Sequence, residues 1–493
     1  MFMQRKSASR RALSAVAFCG VSGAVAIPAA TFAQTSTVAA NKQAADSVSI
    51  AAITTADAAP SAESASTPPV SASFSTEQPS VFSKAAEHGL YFKALATLEF
   101  AANPWGGLRQ GATSTQYLAA GMDADLNKLV GWRGGYVHIA AIALNGSSLS
   151  SAYTGGGIAA QEANAPFSVV RFFELTLEQR LSLLHPDDVS LIAGRMGAFP
   201  AFARSDYACL LQSNFFCGGM YGFSQSTGTA LTPVSTWGGR ARYNFTPKTY
   251  FQFGGFAIDS SELLSSTHMF SFGSQGITGT NWLAEGGYET NYGNDPMPRS
   301  YRLGLWYNSA PRNDALLNTA GLPYYRYGGV RLTHTGETGL YGIAEQVVYR
   351  ENAFSKRGVA LFASGMYNIQ DSEPIKYVFK AGVVKQGTFS GRDNDTLTFA
   401  AGIMSFTDGA VQTFNGYQER AGGIGNVAKN EGILELNYGY QVTPGVVLRP
   451  NIQYYINPDP RNAPTSPRKI PNIFVVGVSL NVSLDTLMHL PRM

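Results

Sequence analysis

From Leu90 to Leu484 the chain repeats one unit, a stretch of about ten residues in which polar and apolar side chains alternate, followed by a connection. Tight polar turns take turns with long Gly/Asn/Ser-rich loops. An alternation of period two places one set of side chains on each face of a strand. Repeated at this regularity, with short and long connections in rhythm, it restricts the chain to an antiparallel β architecture, and a transmembrane barrel fits it best. The rival is a soluble sandwich, whose one-sided sheets alternate in the same way.

Targeting and composition separate the two. Arg5, Lys6, Arg10 and Arg11 form a positive leader, Leu13–Ile27 an apolar run, and Thr31-Phe32-Ala33 a small-residue cleavage site, so residues 1–33 read as a signal peptide. The apolar run is shorter than the roughly 20 residues a membrane-spanning helix needs, and the later apolar runs are shorter still. In a membrane the chain must therefore be a closed barrel, which pairs every backbone polar group. The four leader cations exceed the whole formal charge of +3. No basic patch remains to suggest nucleic acid. Charged residues are only 14 %, while 24 Tyr and 29 Phe suit a barrel with aromatic girdles in outer-membrane lipid.

Residues 34–80 are Ala/Ser/Thr/Pro-rich with a single aromatic, Phe74, and read as a periplasmic linker. The barrel is expected over 85–493. Cys19 leaves with the leader, and Cys209 and Cys217 stay together in one loop of an exported chain. A disulfide between them is expected, with two unpaired thiols as the alternative.

Strand candidates fall at 90–100, 115–127, 133–145, 170–182, 188–196, 235–245, 248–258, 280–291, 299–308, 325–335, 338–350, 357–367, 375–385, 395–405, 430–441, 446–456 and 472–484. That is one too many, because a single-chain bacterial barrel has an even number. The connections 183–187, 246–247, 292–298 and 442–445 are short. Those at 146–169, 197–234, 259–279, 406–429 and 457–471 are long. Both sets keep to their own side only if 325–335 belongs to an outer loop, 309–337. The expectation is an all-β, sixteen-stranded antiparallel transmembrane barrel with short periplasmic turns. Eighteen strands, with one hidden in a long loop, is the alternative.

A charge facing mid-bilayer lipid costs about 2–4 kcal/mol for Arg or Lys, so the charged parity of each strand must point inward. It carries Glu174, Glu178 and Arg180 against Phe173, Leu175 and Leu177, and Arg240 and Arg242 against Trp237, Ala241 and Tyr243. Glu285, Glu431, Glu435 and Arg449 belong to the same face of their strands, and Arg302 shares its face with Trp306. These eleven polar and aromatic residues (Glu174, Glu178, Arg180, Arg240, Arg242, Glu285, Arg302, Trp306, Glu431, Glu435, Arg449) are the candidate pore lining. A bland alternative is that such charges brace the wall. His138 shares its parity with Tyr136, Ala140 and Ile142 and looks apolar-facing. The aromatic 197–234 loop either folds inward and narrows the bore or packs outside on itself.

The residues also resemble a family. Met122–Trp132, Arg171-x-x-Glu174-x-x-x-Glu178-Gln179, Gly194-Arg195 with Phe202 and Ser205, the turn Gly387–Asp395 and the hairpin Glu431–Pro458 are similar, in order, to segments of the carbohydrate-selective porins of the OprB type. The resemblance implies sixteen strands and passive, partly selective diffusion of small sugars across the bacterial outer membrane, as a monomer or homotrimer. Arg and Glu would meet sugar hydroxyls and Trp or Tyr the C–H face. A general or non-sugar diffusion porin is the alternative; an enzyme or an adhesin is a weaker one. No His lies in a nucleophile, zinc or redox motif, Gly423-x-Gly425 has no βαβ context, and no cofactor or metal is expected.

Overall fold

Sixteen strands close on themselves in a computed structural model that describes residues 80–493, apart from 164–167, 200, 218, 230–232, 260, 262–271 and 354. The leader and all but the last residue of the expected linker lie outside the described residues. In chain order the strands are β1 Leu90–Trp105, β2 Gly111–Asp125, β3 Gly135–Gly146, β4 Val169–Leu181, β5 Val189–Met196, β6 Thr236–Thr246, β7 Thr249–Asp259, β8 Ile277–Glu289 and β9 Arg299–Asn308. They continue with β10 Arg312–Asn318, β11 Arg331–His334, β12 Glu337–Arg350, β13 Gly358–Asn368, β14 Ile375–Gln386, β15 Thr396–Phe406, β16 Asn430–Thr443, β17 Val446–Ile456 and β18 Ile473–Ser483. All neighbours pair antiparallel. β18 closes on β1, with Leu480 opposite Leu98.

The even count arises as the loop parity requires. β9 pairs directly with β12, Trp306 opposite Gly339, while β10 and β11 form a separate two-stranded hairpin within the loop between them. Residues 325–335 are thus outside the spanning sheet. The rhythm of connections is less regular than the sequence suggests. The links β1–β2 and β13–β14 share the long-loop end yet are short, and the loop after β15 carries a helix, Asp408–Arg420.

The outer face explains why this sequence spans lipid. Trp105, Trp237, Trp282, Tyr307 and Tyr367 stand exposed toward one rim, and Phe245, Phe251, Tyr301, Tyr349 and Tyr440 toward the other. Between these girdles lie Leu303, Leu305, Leu340, Leu361, Phe379, Phe399, Leu436 and Ile452, also exposed. Such a two-girdle band is stable only against hydrocarbon. No helix among the described residues is long and apolar enough to cross a membrane.

Two of the sequence motifs prove to be turn clamps at the short-turn rim, where β1 begins and β18 ends. Asp125 accepts from the Asn127 and Lys128 amides at 2.9 and 3.3 Å and caps the helical turn 126–130, which Gly131 ends at φ 77°. In the β14–β15 turn the Arg392 guanidinium grips Asp395 through two bonds of 2.8 and 2.7 Å. Tyr438 Oη and the Gln441 amide also donate to that carboxylate, at 2.5 and 2.9 Å. Burial pushes the Asp395 carboxyl upward, but Arg392 and Tyr438 outweigh it and hold it below its usual range. Its stabilising contribution is therefore present above the unfolded carboxylate value and lost as pH falls through the lower folded one. Asp395→Asn should destabilise the barrel by about 1–3 kcal/mol at neutral pH, read by urea unfolding in detergent. The deficit should vanish once the native carboxylate is itself protonated. A deficit independent of pH would show that geometry, not charge, is at work.

Candidate functional site: the inward wall and the folded-in loop

The inward face of β1–β9, in the half nearer the short turns, carries a chain of polar groups. Lys93 Nζ lies 2.7 Å from Asp123, and His138 bridges Asp123 and Glu178 at 2.9 and 3.3 Å. Glu178 also accepts from Arg180 at 3.0 Å and from the Ser190 hydroxyl at 2.6 Å. Arg240 in turn donates to Ser190 Oγ at 2.6 Å. Arg180 stacks over Tyr136, and Arg242 lies over the Tyr250 ring, 3.6 Å from its centroid. Glu289 sits between Arg242, at 3.3 Å, and Arg302, at 2.8 Å. Low dielectric makes such a string of pairs mutually orienting, and each member fixes the next.

The opposite arc of the interior is not wet. Tyr341, Ile343, Val347, Ala360, Phe362, Met366, Val378, Val384, Ala400 and Met404 face inward there and join one core with Phe199, Phe202, Leu210, Phe215, Phe216, Tyr221 and Phe223 of the β5–β6 loop. The loop has folded into the barrel. Phe202 packs edge-on against Phe256, and Phe223 against Trp306 and Tyr341.

Polar straps hold it there. Glu285 accepts from the Ala203 amide at 2.9 Å, Glu345 from the Asp206 amide at 2.9 Å and the Ser205 hydroxyl at 2.5 Å, and Glu435 from the Gln212 and Ser213 amides at 2.6 and 3.0 Å. Lys380 Nζ donates to the carbonyls of Phe215, Phe216 and Gly219, at 3.2, 2.7 and 3.1 Å. Arg302 reaches the Arg204 carbonyl and Asn437 that of Leu210. Cys209 and Cys217 are disulfide-bonded inside this segment. A segment of a second outer loop, around Ala159 and Ala160, follows it inward. The Ala159 carbonyl takes the Asn214 amide and the Ser213 hydroxyl, and Gln453 donates to the Ala160 carbonyl.

All the candidate residues point inward, but their surroundings divide them. Lys93, Arg204, Arg242 and Glu289 keep 18, 34, 13 and 22 % side-chain exposure and border the open lumen. Arg302 lies behind Glu289, with Asp206 3.6 Å away. Glu174, 3.9 Å from Lys93, and Glu178, Arg180 and Arg240 are buried members of the polar chain. Glu285 and Glu435 are spent on loop amides, and Glu285 also takes Tyr250, Gln252 and Tyr341. Glu431 accepts from the Asp459 amide of the β17–β18 loop at 3.1 Å. Trp306 is 1 % exposed beneath Phe223, and Arg449 is buried opposite Ser479. Among the described residues no cluster of three or more His, Cys, Asp or Glu could hold a metal.

Two expectations from parity are corrected. Phe173 is inward, packed with Tyr117, Ile142 and Leu144, because β3 and β4 slip register between Ala140 and Ala141, and the bulge reverses the parity of the stretch before it, so that Arg171 is buried and Val170 exposed. His138 is on the lumen side for the plainer reason that the whole Tyr136/Ala140/Ile142 face is. Glu345 and Lys380 escaped notice because they share parity with apolar neighbours, Ile343 and Val378. A lone charge in an otherwise apolar parity was the available signal. Arg195, of the Gly194-Arg195 motif, packs on Trp237 and Phe272 and donates to the Ser235 carbonyl at 2.9 Å.

Residues 109–484 match the family model described as carbohydrate-selective porin, OprB family. Porin B of Pseudomonas aeruginosa is 28 % identical over 386 residues, covering 76 % of this chain and 84 % of that protein. The putative porin QuiX of Acinetobacter baylyi is 23 % identical over 415 residues, covering 80 and 90 %. The high-pH structure of Pseudomonas putida OprB superposes with a TM-score of 0.74 at 24 % identity, over 81 % of this chain and 95 % of that one. A closed sixteen-stranded barrel with a lipid-facing girdle and a charged, partly filled interior thus meets a family match across most of its length: the chain belongs to the carbohydrate-selective porins of the OprB family and is a protein of the bacterial outer membrane.

Proposed function

We propose that the barrel passes small neutral sugars by passive diffusion, and that Arg242, Glu289 and Arg302, with Arg204 and Asp206 of the folded-in loop, set its selectivity. The observation that carries this is Glu289 at the lumen surface, held between Arg242, which lies over the Tyr250 ring, and Arg302 behind it. Planar charged groups in fixed relation offer hydroxyl pairs both donors and acceptors, and their near-balanced charge does not demand an ionic solute. The buried Glu174, Glu178, Arg180 and Arg240 hold that surface in place. Catalysis has no part in this reading: among the described residues no nucleophile and base stand together at the lumen surface. Residues 1–33 serve as the export leader, 34–80 as a linker, and the barrel works as a monomer or homotrimer.

Liposome swelling with a graded panel of monosaccharides, disaccharides and amino acids tests it. Neutral monosaccharides should enter faster than amino acids of equal size. Equal rates at equal size would make this a general diffusion pore, and the absence of swelling would overturn the channel reading for this chain.

A further inference from the structure

At the long-loop end, outside the folded-in loop, a cavity of about 310 Å³ opens between three separate elements. The hairpin β10–β11 contributes Arg312, Asn313, Ala315 and Arg331. The β13–β14 link gives Glu373 and Pro374, and the helix 408–420 gives Ala410, Thr413, Phe414 and Tyr417. None of these residues belongs to the lumen-facing set described above.

The cleft is a built one. Thr413 Oγ1 donates to the Ala315 carbonyl at 2.7 Å and the Ala315 amide to the Ser372 carbonyl at 2.8 Å, which fixes its width. Arg312 joins the buried Glu373 at 3.2 Å and the Gln225 carbonyl of the folded-in loop at 2.6 Å. Arg331 lies over the Tyr324 ring, 4.4 Å from its centroid, with its head 3.5 Å from Tyr417 Oη. Burial pushes the Glu373 carboxyl up to about 7, against the pull of Arg312. Asn313 is exposed and Arg312, Arg331 and Tyr417 are half-buried, so the cleft opens to solvent.

One wall is aromatic, through Phe414 and Tyr417, and the other is planar and polar, through Arg312, Arg331, Glu373 and Asn313. A pyranose has this same division, an apolar C–H face and an edge of paired hydroxyls. The volume accommodates a single sugar unit with room for water. We infer that this cleft is an outer-mouth subsite that holds one neutral pyranose before it reaches the charged surface inside the barrel. The inference rests on the sugar-diffusion reading above, and it adds a second, separate contact point on the path. Because Arg312 also grips the Gln225 carbonyl, the cleft is tied to the root of the folded-in loop.

The test uses the full-length exported protein in planar bilayers, with glucose added to one side at a time and its block of the ion current titrated. Tyr417→Ala removes the aromatic wall, and Asn313→Trp fills the cleft from its exposed edge. Each should raise the half-blocking concentration for glucose added at the long-loop side by about three- to tenfold. Open-channel conductance in salt alone, and block from the other side, should stay as in the parent. Heat-modifiable gel mobility reports that both variants fold. If both fold and block is unchanged from either side while glucose still drives liposome swelling, the subsite is wrong and the pore reading stands. If glucose neither blocks nor swells with the parent, the pore reading itself has failed, and the subsite fails with it. Equal weakening from both sides would place the effect in the bore and also overturn the subsite.

Discussion

Lys380→Met should raise single-channel conductance by about twofold or more, since conduction follows the open cross-section, and should weaken discrimination among sugars. Lys380 stands on β14, 1 % exposed, and donates to three carbonyls of one short loop segment. Methionine keeps the length and the apolar stem but supplies no donor. Two buried carbonyls, of Phe215 and Phe216, would then lack this partner, at roughly 1–3 kcal/mol for each group left unsatisfied, and the half-buried one of Gly219 would lose it too. Cys209–Cys217 makes the neighbouring turn one unit, so the loss is felt by the whole segment and not by a single residue. The Glu435 strap on Gln212 and Ser213 remains in that variant. Adding Glu435→Gln should therefore give a further rise, and the two changes should be non-additive because both hold the same turn. Conductance equal to the parent in the double variant, with the barrel folded, would mean that hydrophobic packing alone keeps the loop inside.

The second large effect separates two arginines that sequence alone treats as a pair. Arg242→Ala should raise the half-blocking sugar concentration by about tenfold or more, the scale of a lost charge-assisted contact. It should also shift ion selectivity toward cations, because Glu289 would lose one of its two guanidinium partners at the lumen surface. Arg240→Ala should leave both readouts near the parent and lower stability instead. Arg240 is 6 % exposed and its bond goes to Ser190, which itself serves Glu178. Removing it strips an interior network, the case in which a missing charge partner is felt most. Reversal potentials and sugar titrations on the two single variants check this. Matching effects from Arg240→Ala and Arg242→Ala would show that the two act as one basic ladder after all.

How far the sequence could be read follows from where its two-residue period stays honest. Period two reports a difference between the two sides of a sheet. On β4, β6, β8, β16 and β17 those sides are lipid and polar interior, and Glu178, Arg242, Glu285, Glu435 and Arg449 were legible as inward. On β12–β15 both sides are apolar, because Phe215, Phe216 and Phe223 occupy the interior. There the period fades, and Glu345 and Lys380 pass unnoticed among Ile343, Val347, Val378 and Val384. The strand count survived because it rested on loop lengths, which packing does not disturb. The loop's destination could not be read, since aromatics at 199–223 serve an external cluster as well as an internal one. What decides it are Glu285, Glu345 and Glu435, each contributed by a strand remote in sequence. The family-like motifs were visible as strings of letters, but Asp125, Asp395, Ser205 and Glu435 turn out to clamp turns and hold the loop.

The wall glutamates hold the folded-in loop mainly by its main chain: Ala203, Asp206, Gln212 and Ser213 all present backbone amides to them. Backbone amides are common to every residue except proline. The grip is therefore indifferent to most of the side chains it carries, and the aperture behaves as an interchangeable insert in a fixed frame. Side chains at its open edge, such as Arg204, can be exchanged for others while the same carboxylates keep the segment seated. Selectivity in such a barrel can then drift by single substitutions in the insert, without a matching change in any of the sixteen strands.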